Sequence, residues 1–501
     1  MNNKSYIFVV LGIVLAKIVG FSRDIFFAGF YGTGVTADIY FQIFGIVTLI
    51  FTGVGVALQT QVIMNLNKEQ NNAPEKKKAY VSAFLLKCSF YLLAVTAVLY
   101  LGAKPLTRML LPDLAGEEFA LALRLTYIML PSIFFVAVAY IISGILQNSN
   151  VFFIPSIVSL PYNAVIIAAL FLPNVTIEQI GMATTFGWFL HIAIQLPDFY
   201  RKGYRFLYRG GEKLPRKRGA ANMSIWWIFV SNLMFQLCFI IDKTFVSGNP
   251  GQASAINYAS NLFITISSVF VVAMTSVVFP AISKNYEEGQ IDYVRRLVGN
   301  IVSIMAAVFI PFLLVVTLFG DQLIGLLYQR GEFDSQSTAA TAAVFVLYSF
   351  GIFGYLAQEL INRVLYLANR YRYTVVATVL VIGAKLLLDR LFVPTYGMIF
   401  AAASSTVLLD LYGIVSFMVL KKTVGSVLSR DVLKCLGKVL LSGAAALAVY
   451  FVLLLVMPGI VTGTGPAFIL PILICGVVYL GAAFALGVHK QLLTTDRKEG
   501  K

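Results

Sequence analysis

The feature that most constrains this chain is a near-continuous succession of long apolar runs, cut only by short polar or Gly/Pro breaks. A helix needs about 20 apolar residues to cross the hydrocarbon core of a bilayer, and fourteen such runs can be counted from Tyr6 onward. Inside lipid every backbone polar group must be satisfied within the structure, which leaves helices as the economical answer. The composition agrees, with 59% hydrophobic and 12% charged residues, against about 25% charged in an average soluble domain. The chain therefore reads as an all-α polytopic membrane protein with about fourteen transmembrane helices. The first run carries straight into a charged motif without a small-residue cleavage site, so no cleavable signal is expected and the N-terminus is expected to stay in the cytoplasm.

Spans one to six are read at 6–31, 38–66, 79–103, 119–147, 154–173 and 179–200. Spans seven to twelve follow at 223–247, 254–283, 297–320, 336–368, 373–393 and 397–420, with two more at 438–457 and 467–487. If spans alternate from an inside N-terminus, the inside segments gather most of the 38 Lys and Arg residues, most densely in 201–222. The opposite side keeps Lys104, Arg108, Arg330 and Arg390. The positive-inside rule accounts for this bias, so the net charge of +15 calls for a bilayer and not for nucleic acid. Both termini are then placed in the cytoplasm, with the chain spanning the cell's plasma membrane.

A weak internal repeat organises the spans. A shift of 218 lays Asp24 on Asp242, Phe27 on Phe245, Ala37 on Ala255 and Tyr40 on Tyr258; a shift of 221 lays Tyr127 on Tyr348, Asn148 on Asn369 and Pro173 on Pro394. Six spans per copy is an even number, so the copies share one orientation and are expected to be related by an axis along the membrane normal. That is a plan of alternating-access transporters, with substrate bound between the halves. The division is then an N-lobe at 1–200, a basic cytoplasmic linker at 201–222, a C-lobe at 223–420, and 421–501 with two further helices and a cytoplasmic tail. Chance self-alignment of apolar sequence remains the alternative.

Seven basic residues fall within the spans: Lys17, Arg23, Lys87, Arg124, Lys243, Arg363 and Lys385. Each costs about 2.5–3.5 kcal/mol at a helix centre on insertion scales, so such groups usually face a protein interior or a wet cavity. Glu359 and Arg363 are four apart, as are Lys385 and Asp389, so each pair can share a helix face. Lys17 and Asp24, seven apart, also lie nearly on one face. Arg23 points elsewhere and has no obvious partner on its own face, which makes it the leading candidate for an anion ligand, because a guanidinium holds phosphate oxygens bidentately. Asp24 and Asp242 occupy equivalent repeat positions and are read either as coupling or gating groups or as structural partners of Lys17 and Lys243. Gly20, Gly53, Gly55, Pro131, Pro155, Pro161 and Pro280 are helix interrupters and candidate hinges.

Other chemistry is poorly represented. Cys88, Cys238, Cys435 and Cys475 are scattered singly, and His191 and His489 are the only histidines, so neither a metal site nor a disulfide framework is indicated. The chain lacks a nucleophile elbow, a phosphate-cradling loop and a paired-carboxylate signature. We expect no enzyme activity, no catalytic residue, no metal and no cofactor.

Several motifs occurring in order resemble one family. Gly20-Phe21-Ser22-Arg23-Asp24, the turn Gly32-Thr33-Gly34 with Ala37-Asp38, Gln195-Leu196-Pro197 with Gly203-Tyr204-Arg205-Phe206, and Tyr328-Gln329-Arg330-Gly331-Glu332-Phe333-Asp334 are similar to the MurJ (MviN) lipid II flippases. Phe279-Pro280-Ala281-Ile282-Ser283-Lys284 and Asn362-Arg363-Val364-Leu365-Tyr366 fit the same pattern, over about 1–420. The resemblance places the chain in the multidrug/oligosaccharidyl-lipid/polysaccharide exporter superfamily. It implies fourteen spans, two six-helix lobes, a groove made with the last two spans for a polyprenyl tail, and inner-to-outer transport of lipid-linked peptidoglycan precursor for cell wall biogenesis. The implied partner is a polyprenyl-pyrophosphate-linked saccharide within the bilayer, and the protein is read as a monomer.

Residue by residue, Arg23 and Asp24 match the family's first-span pair, and Lys17 stands where an upstream basic residue is usual. Arg23, Lys17 and Arg363 are thus the substrate-binding candidates, with Asp24, Asp242, Lys385, Asp389 and Glu359 for coupling or gating. The anion-binding set is thinner than in the family. Second-span charged positions fall on Thr48, Leu49 and Gly53, and span eight reads Tyr258-Ala259-Ser260-Asn261-Leu262 where Tyr-Ala-Asp-Arg-Leu is typical. A related capsular or exopolysaccharide lipid intermediate therefore stays open as cargo. From other classes, a cation-coupled drug antiporter and a non-transporting scaffold stay open. Family members with a sodium site build it from a span-seven aspartate, matched by Asp242, and an Asn-x-x-x-Asp pair on span eleven, which here reads Lys385-Leu386-Leu387-Leu388-Asp389. An ammonium thus stands where the asparagine would be, and transport is expected to be insensitive to sodium.

Overall fold

A computed structural model describes residues 3–68, 74–207, 236–274, 278–368, 370–463 and 466–492. The greater part of the basic linker (208–222), the first half of span seven (223–235), the repeat position Asn369 and the basic tail residues Arg497, Lys498 and Lys501 lie outside these described residues. Among the described residues the regular structure is all helical, with no strand. Among the described residues eight helices are long and apolar enough to cross a membrane, or nine with one bent pair counted as a single span. Fourteen is therefore an approximate count, and several spans are broken.

The chain packs as two compact units, Met1–Ser254 with Arg330–Phe333, and Ala255–Gln329 with Asp334–Lys501. This partition follows packing, whereas the lobes proposed from the repeat follow symmetry. The first unit holds α1 (Asn3–Tyr31), α2 (Val35–Ile50) and α3 (Val56–Lys68), joined by a π-helical turn at Phe51–Gly55. It continues through α4 (Pro74–Leu101), α5 (Ala103–Leu110), α6 (Gly116–Met129), α7 (Ser132–Asn148) and α8 (Phe153–Ile157). It closes with α9 (Ser159–Leu170), α10 (Ile177–Ala193), α11 (Leu196–Arg201) and α12 (236–245). Its core gathers aliphatic side chains of α3, α4 and α7, including Val62, Leu66, Leu85, Ile141 and Ile145.

The second unit contains most of α13 (Gln252–Ala273), then α14 (Phe279–Glu287), α15 (Ile291–Tyr328), α16 (Ser335–Phe350) and α17 (Ile352–Leu367). The long α18 (Tyr371–Val424) follows, then α19 (Arg430–Val456), α20 (Pro458–Val461), α21 (Ile469–Ala485) and α22 (Val488–Leu492). α15, α19 and α21 enclose an apolar cleft lined by Pro311, Leu314, Phe319, Ala446, Cys475 and Tyr479.

The interrupters sort by physical cause. Gly53 and Gly55 sit in the π turn, and Pro131 separates α6 from α7. Gly20, by contrast, lies within an unbroken α1, beside Asn163 of α9. Span ten bends by 42° between α16 and α17, at Gly351. Spans eleven and twelve part at Gly397, whose φ of 62° is a left-handed conformation that a Cβ disfavours. The preceding proline, Pro394, stays within the helix. Gly331 also has positive φ and lies against the Gly29 carbonyl, which accepts a 3.0 Å bond from the Glu332 amide.

Candidate substrate-binding site

In the first unit, α1, α2, α9 and α10 bring together the groups of interest. Arg23 does not stand alone, as its helix position suggests. Its Nη2 lies 2.6 Å and its Nε 3.0 Å from Asp24 Oδ1, and its Nη1 donates to the Tyr162 hydroxyl at 3.1 Å. Helical spacing puts adjacent residues about 100° apart, but the guanidinium is long enough to fold back onto its neighbour. Its carbon lies 5.6 Å from the ring centroids of both Phe44 and Tyr162, within cation–π range. The arginine and aspartate side chains are 13% and 9% exposed, so the pair is nearly enclosed yet still reachable.

The aromatic wall explains why the site keeps its shape. Tyr162 lies against Trp188 with centroids 4.3 Å apart and meets the edge of His191 at 5.6 Å. A Cβ at Gly187 would collide with the Tyr162 ring and backbone, so the glycine admits this close packing. Tyr40 bonds Thr184 at 2.9 Å and stacks on Phe27 and Phe44, tying α2 to α10 and α1. Tyr162 is the group that sequence reasoning missed. It stands next to Asn163 and one residue after Pro161, and only the tertiary contact with Arg23 marks it.

The remaining candidates separate. Lys17 is exposed on α1 and makes no ion pair among the described residues, so Asp24 takes Arg23 and not Lys17 as its cation. Asp242 and Lys243 are both buried on α12, Lys243 with its ammonium against Gly45 of α2. In the second unit Arg363 pairs with Glu359 at 3.2 Å, with side chains 31% and 23% exposed, and lies over the Phe279 ring.

Lys385 and Asp389 form a fully buried ion pair of 2.6 Å. The ammonium also donates to the Ala401 carbonyl at 2.9 Å and the Ser404 hydroxyl at 2.7 Å, and Ser404 donates to Asp389 Oδ1 at 2.7 Å. These residues do not fit a bound sodium ion, because the oxygens it would need already hold an ammonium that would repel it. Among the described residues no group of three or more His, Cys, Asp or Glu side chains could hold a metal either.

A membrane chain whose described residues are helical and pack as two units, with ion pairs buried in its spans, has the construction of a transporter. The comparisons with known proteins agree and narrow the class. The family described as "Lipid II flippase MurJ" matches residues 27–474, and the chain belongs to it. The probable lipid II flippase MurJ of Buchnera aphidicola subsp. Acyrthosiphon pisum is 24% identical over 438 residues, covering 84% of this chain and 83% of that protein. The lipid II flippase MurJ of Burkholderia cenocepacia is 24% identical over 402 residues, covering 77% of each. In fold, a structure of lipid II flippase MurJ in an inward closed conformation superimposes with a TM-score of 0.77 at 20% identity, covering 96% of this chain and 98% of that one. An inward-facing multidrug resistance MATE family transporter of the MOP superfamily follows at TM-score 0.63 and 12% identity, covering 82% and 95%.

Proposed function

We propose that this flippase moves undecaprenyl-pyrophosphate-linked peptidoglycan precursor from the inner to the outer leaflet of the bacterial plasma membrane by alternating access, with Arg23 as the main pyrophosphate ligand. The observation that carries the reading is the Arg23 guanidinium held between Asp24, Tyr162 and Phe44. A planar cation in a low-dielectric surround attracts a phosphate more strongly than the same cation in water. Asp24 keeps the charge compensated while no anion is present, and an arriving pyrophosphate competes with it for the same donors. Lys17, two turns earlier on α1, adds charge on the approach. Arg363, held by Glu359, takes a secondary role. The polyprenyl tail is assigned to the apolar cleft of α15, α19 and α21.

Complementation tests the cargo. Expressed in a bacterium depleted of its own lipid II flippase, the chain should restore growth and shape; rescue of polysaccharide output without rescue of growth would assign it a different lipid-linked cargo. Orientation is tested by single cysteines in intact cells. An impermeant maleimide should label position 334 and not position 213, which lies outside the described residues, and the reverse pattern would invert the proposed topology with cytoplasmic termini.

A further inference from the structure

We propose that span ten is a working joint, held in its bent form by two side chains of span twelve. The 42° bend separates α16 from α17 at Gly351. In a straight helix the Gly351 amide would bond the Leu347 carbonyl, and the Gly354 amide the Phe350 carbonyl. Here the Gly351 amide turns to the Tyr348 carbonyl at 3.0 Å. The Leu347 carbonyl accepts instead from the Thr406 hydroxyl at 2.8 Å, and the Gly354 amide donates to Asp410 Oδ1 at 3.0 Å. Thr406 and Asp410 are four apart on α18 beyond Gly397, so one face of that helix serves both sides of the break.

Backbone groups inside a bilayer must be paired, so a bend there persists only where substitutes are supplied. Thr406 supplies a donor and Asp410 an acceptor, and straightening would return both roles to the main chain. Every main-chain group at the break thus keeps a partner in either form. Once released, a threonine hydroxyl bonds the carbonyl one turn back in its own helix, and Asp410, only half-buried, is open enough to be solvated. The surface of contact suits such movement. A Cβ on Gly354 would lie 2.5 Å from the Leu409 carbonyl, and one on Gly413 would lie 3.0 Å from the Gly354 Cα. The two backbones therefore meet with no side chain interlocked between them, where a rigid brace would gain from packing across the crossing. α17 carries Glu359 and Arg363, so the joint swings that ion pair relative to α16.

The joint belongs to one span of the second unit whichever lipid is carried, so its test needs no substrate. The full chain, with Cys88, Cys238, Cys435 and Cys475 replaced by alanine, is spin-labelled at cysteines placed at Ala339 and Ile399, both exposed. The distance between the labels is then measured by pulsed electron paramagnetic resonance in lipid nanodiscs. Straightening 42° over the roughly 18 Å of helix from Ala339 to the break moves that label by about 13 Å. Thr406→Val and Asp410→Ala each take away one substitute, and each should raise the ratio of straight to bent form about five- to tenfold, the effect of one hydrogen bond. Thr406→Ser and Asp410→Asn keep a donor and an acceptor and should match the unmodified chain. If either disabling variant cannot be purified, Gly351→Ala leaves both substitutes in place and should shift the ratio the same way, because alanine favours an unbroken helix. A distance that none of these variants moves would overturn the proposal and make the contacts a fixed brace. Equal shifts for the conservative and the disabling variants would also overturn it, by tracing the effect to packing.

Discussion

The two units each bury an acid–base pair, and the pairs differ in what surrounds them. In the first unit Arg23 and Asp24 retain 13% and 9% exposure, sit among aromatic rings, and spend one guanidinium nitrogen on a tyrosine hydroxyl. In the second, Lys385 and Asp389 retain none, and the ammonium is closed off by a serine and a carbonyl. A charge pair with residual access and a planar, forked cation can trade its partner for an incoming anion. One sealed on every side serves to hold helices and balance charge. Glu359 and Arg363, at 23% and 31% exposure, form a third and more open type, where solvent screening leaves the pair worth little.

The largest expected effect comes from breaking the exchangeable pair. Arg23→Ala should abolish complementation. Because it also strands a buried Asp24, Arg23→Ala with Asp24→Asn separates loss of function from loss of folding. The double variant should reach the membrane in normal amount and still fail. Arg23→Lys should recover only part of the activity, since an ammonium keeps the charge without the fork. Normal growth supported by either alanine variant would remove Arg23 from the binding site.

A smaller effect is expected at Tyr162. Its oxygen accepts from Arg23, so its own proton is directed elsewhere and can reach a phosphate oxygen held by the same guanidinium. Tyr162→Phe keeps the ring against Trp188 and removes the hydroxyl, both that donor and the acceptor of the Arg23 bond. Binding of a polyprenyl pyrophosphate to purified protein should weaken about tenfold, about 1.4 kcal/mol, in the range of one hydrogen bond to a charged group. Binding of the corresponding polyprenol, which lacks the phosphates, should not change. Equal loss for both lipids would make Tyr162 a packing residue, and no loss for either would leave Arg23 to act without it.

Much of this contrast could be read in the chain, and the unread part has a physical cause. The four-residue spacings of Glu359–Arg363 and Lys385–Asp389 are local, and a helix turns them into contacts without help from the fold. Arg23 is different, because its helical phase separates it from Asp24 and only side-chain length brings them together. Tyr162 is 139 residues away from Arg23, and Ala401 and Ser404 reach Lys385 only because the chain reverses at Gly397. Periodicity locates such apolar spans but says little about which of their faces meet. The hinge positions show the same limit. Pro131 and the Gly53–Gly55 turn break helices as their residue types suggest, whereas Gly20 lies in an unbroken helix and Gly351 and Gly397 carry breaks that hydropathy does not mark.

The smallest expected effect belongs to a carboxylate that lies outside the spans and has no cation to balance. Asp334 precedes α16 as its N-cap and accepts from the Ser337 amide at 2.7 Å. That bond, with further help from the Ser337 side chain, holds its carboxyl below the usual range for aspartate. A folded-state pKa below the unfolded one means the capping contribution is present above the ordinary aspartate value, about 3.9. It is lost as the pH falls through the lower value of the folded protein. Asp334→Ala should therefore destabilise by about 1 kcal/mol at neutral pH, the usual worth of such a cap, and the deficit against the unmodified chain should shrink on acidification to about pH 2. Asp334→Asn keeps an oxygen for the Ser337 amide and gives up the charge, so it should sit between the two at neutral pH and close on the unmodified chain in acid. Amide exchange at Ser337 reads the cap directly. A deficit for Asp334→Ala that stays constant from neutral to acid would show that the oxygen caps α16 without its charge.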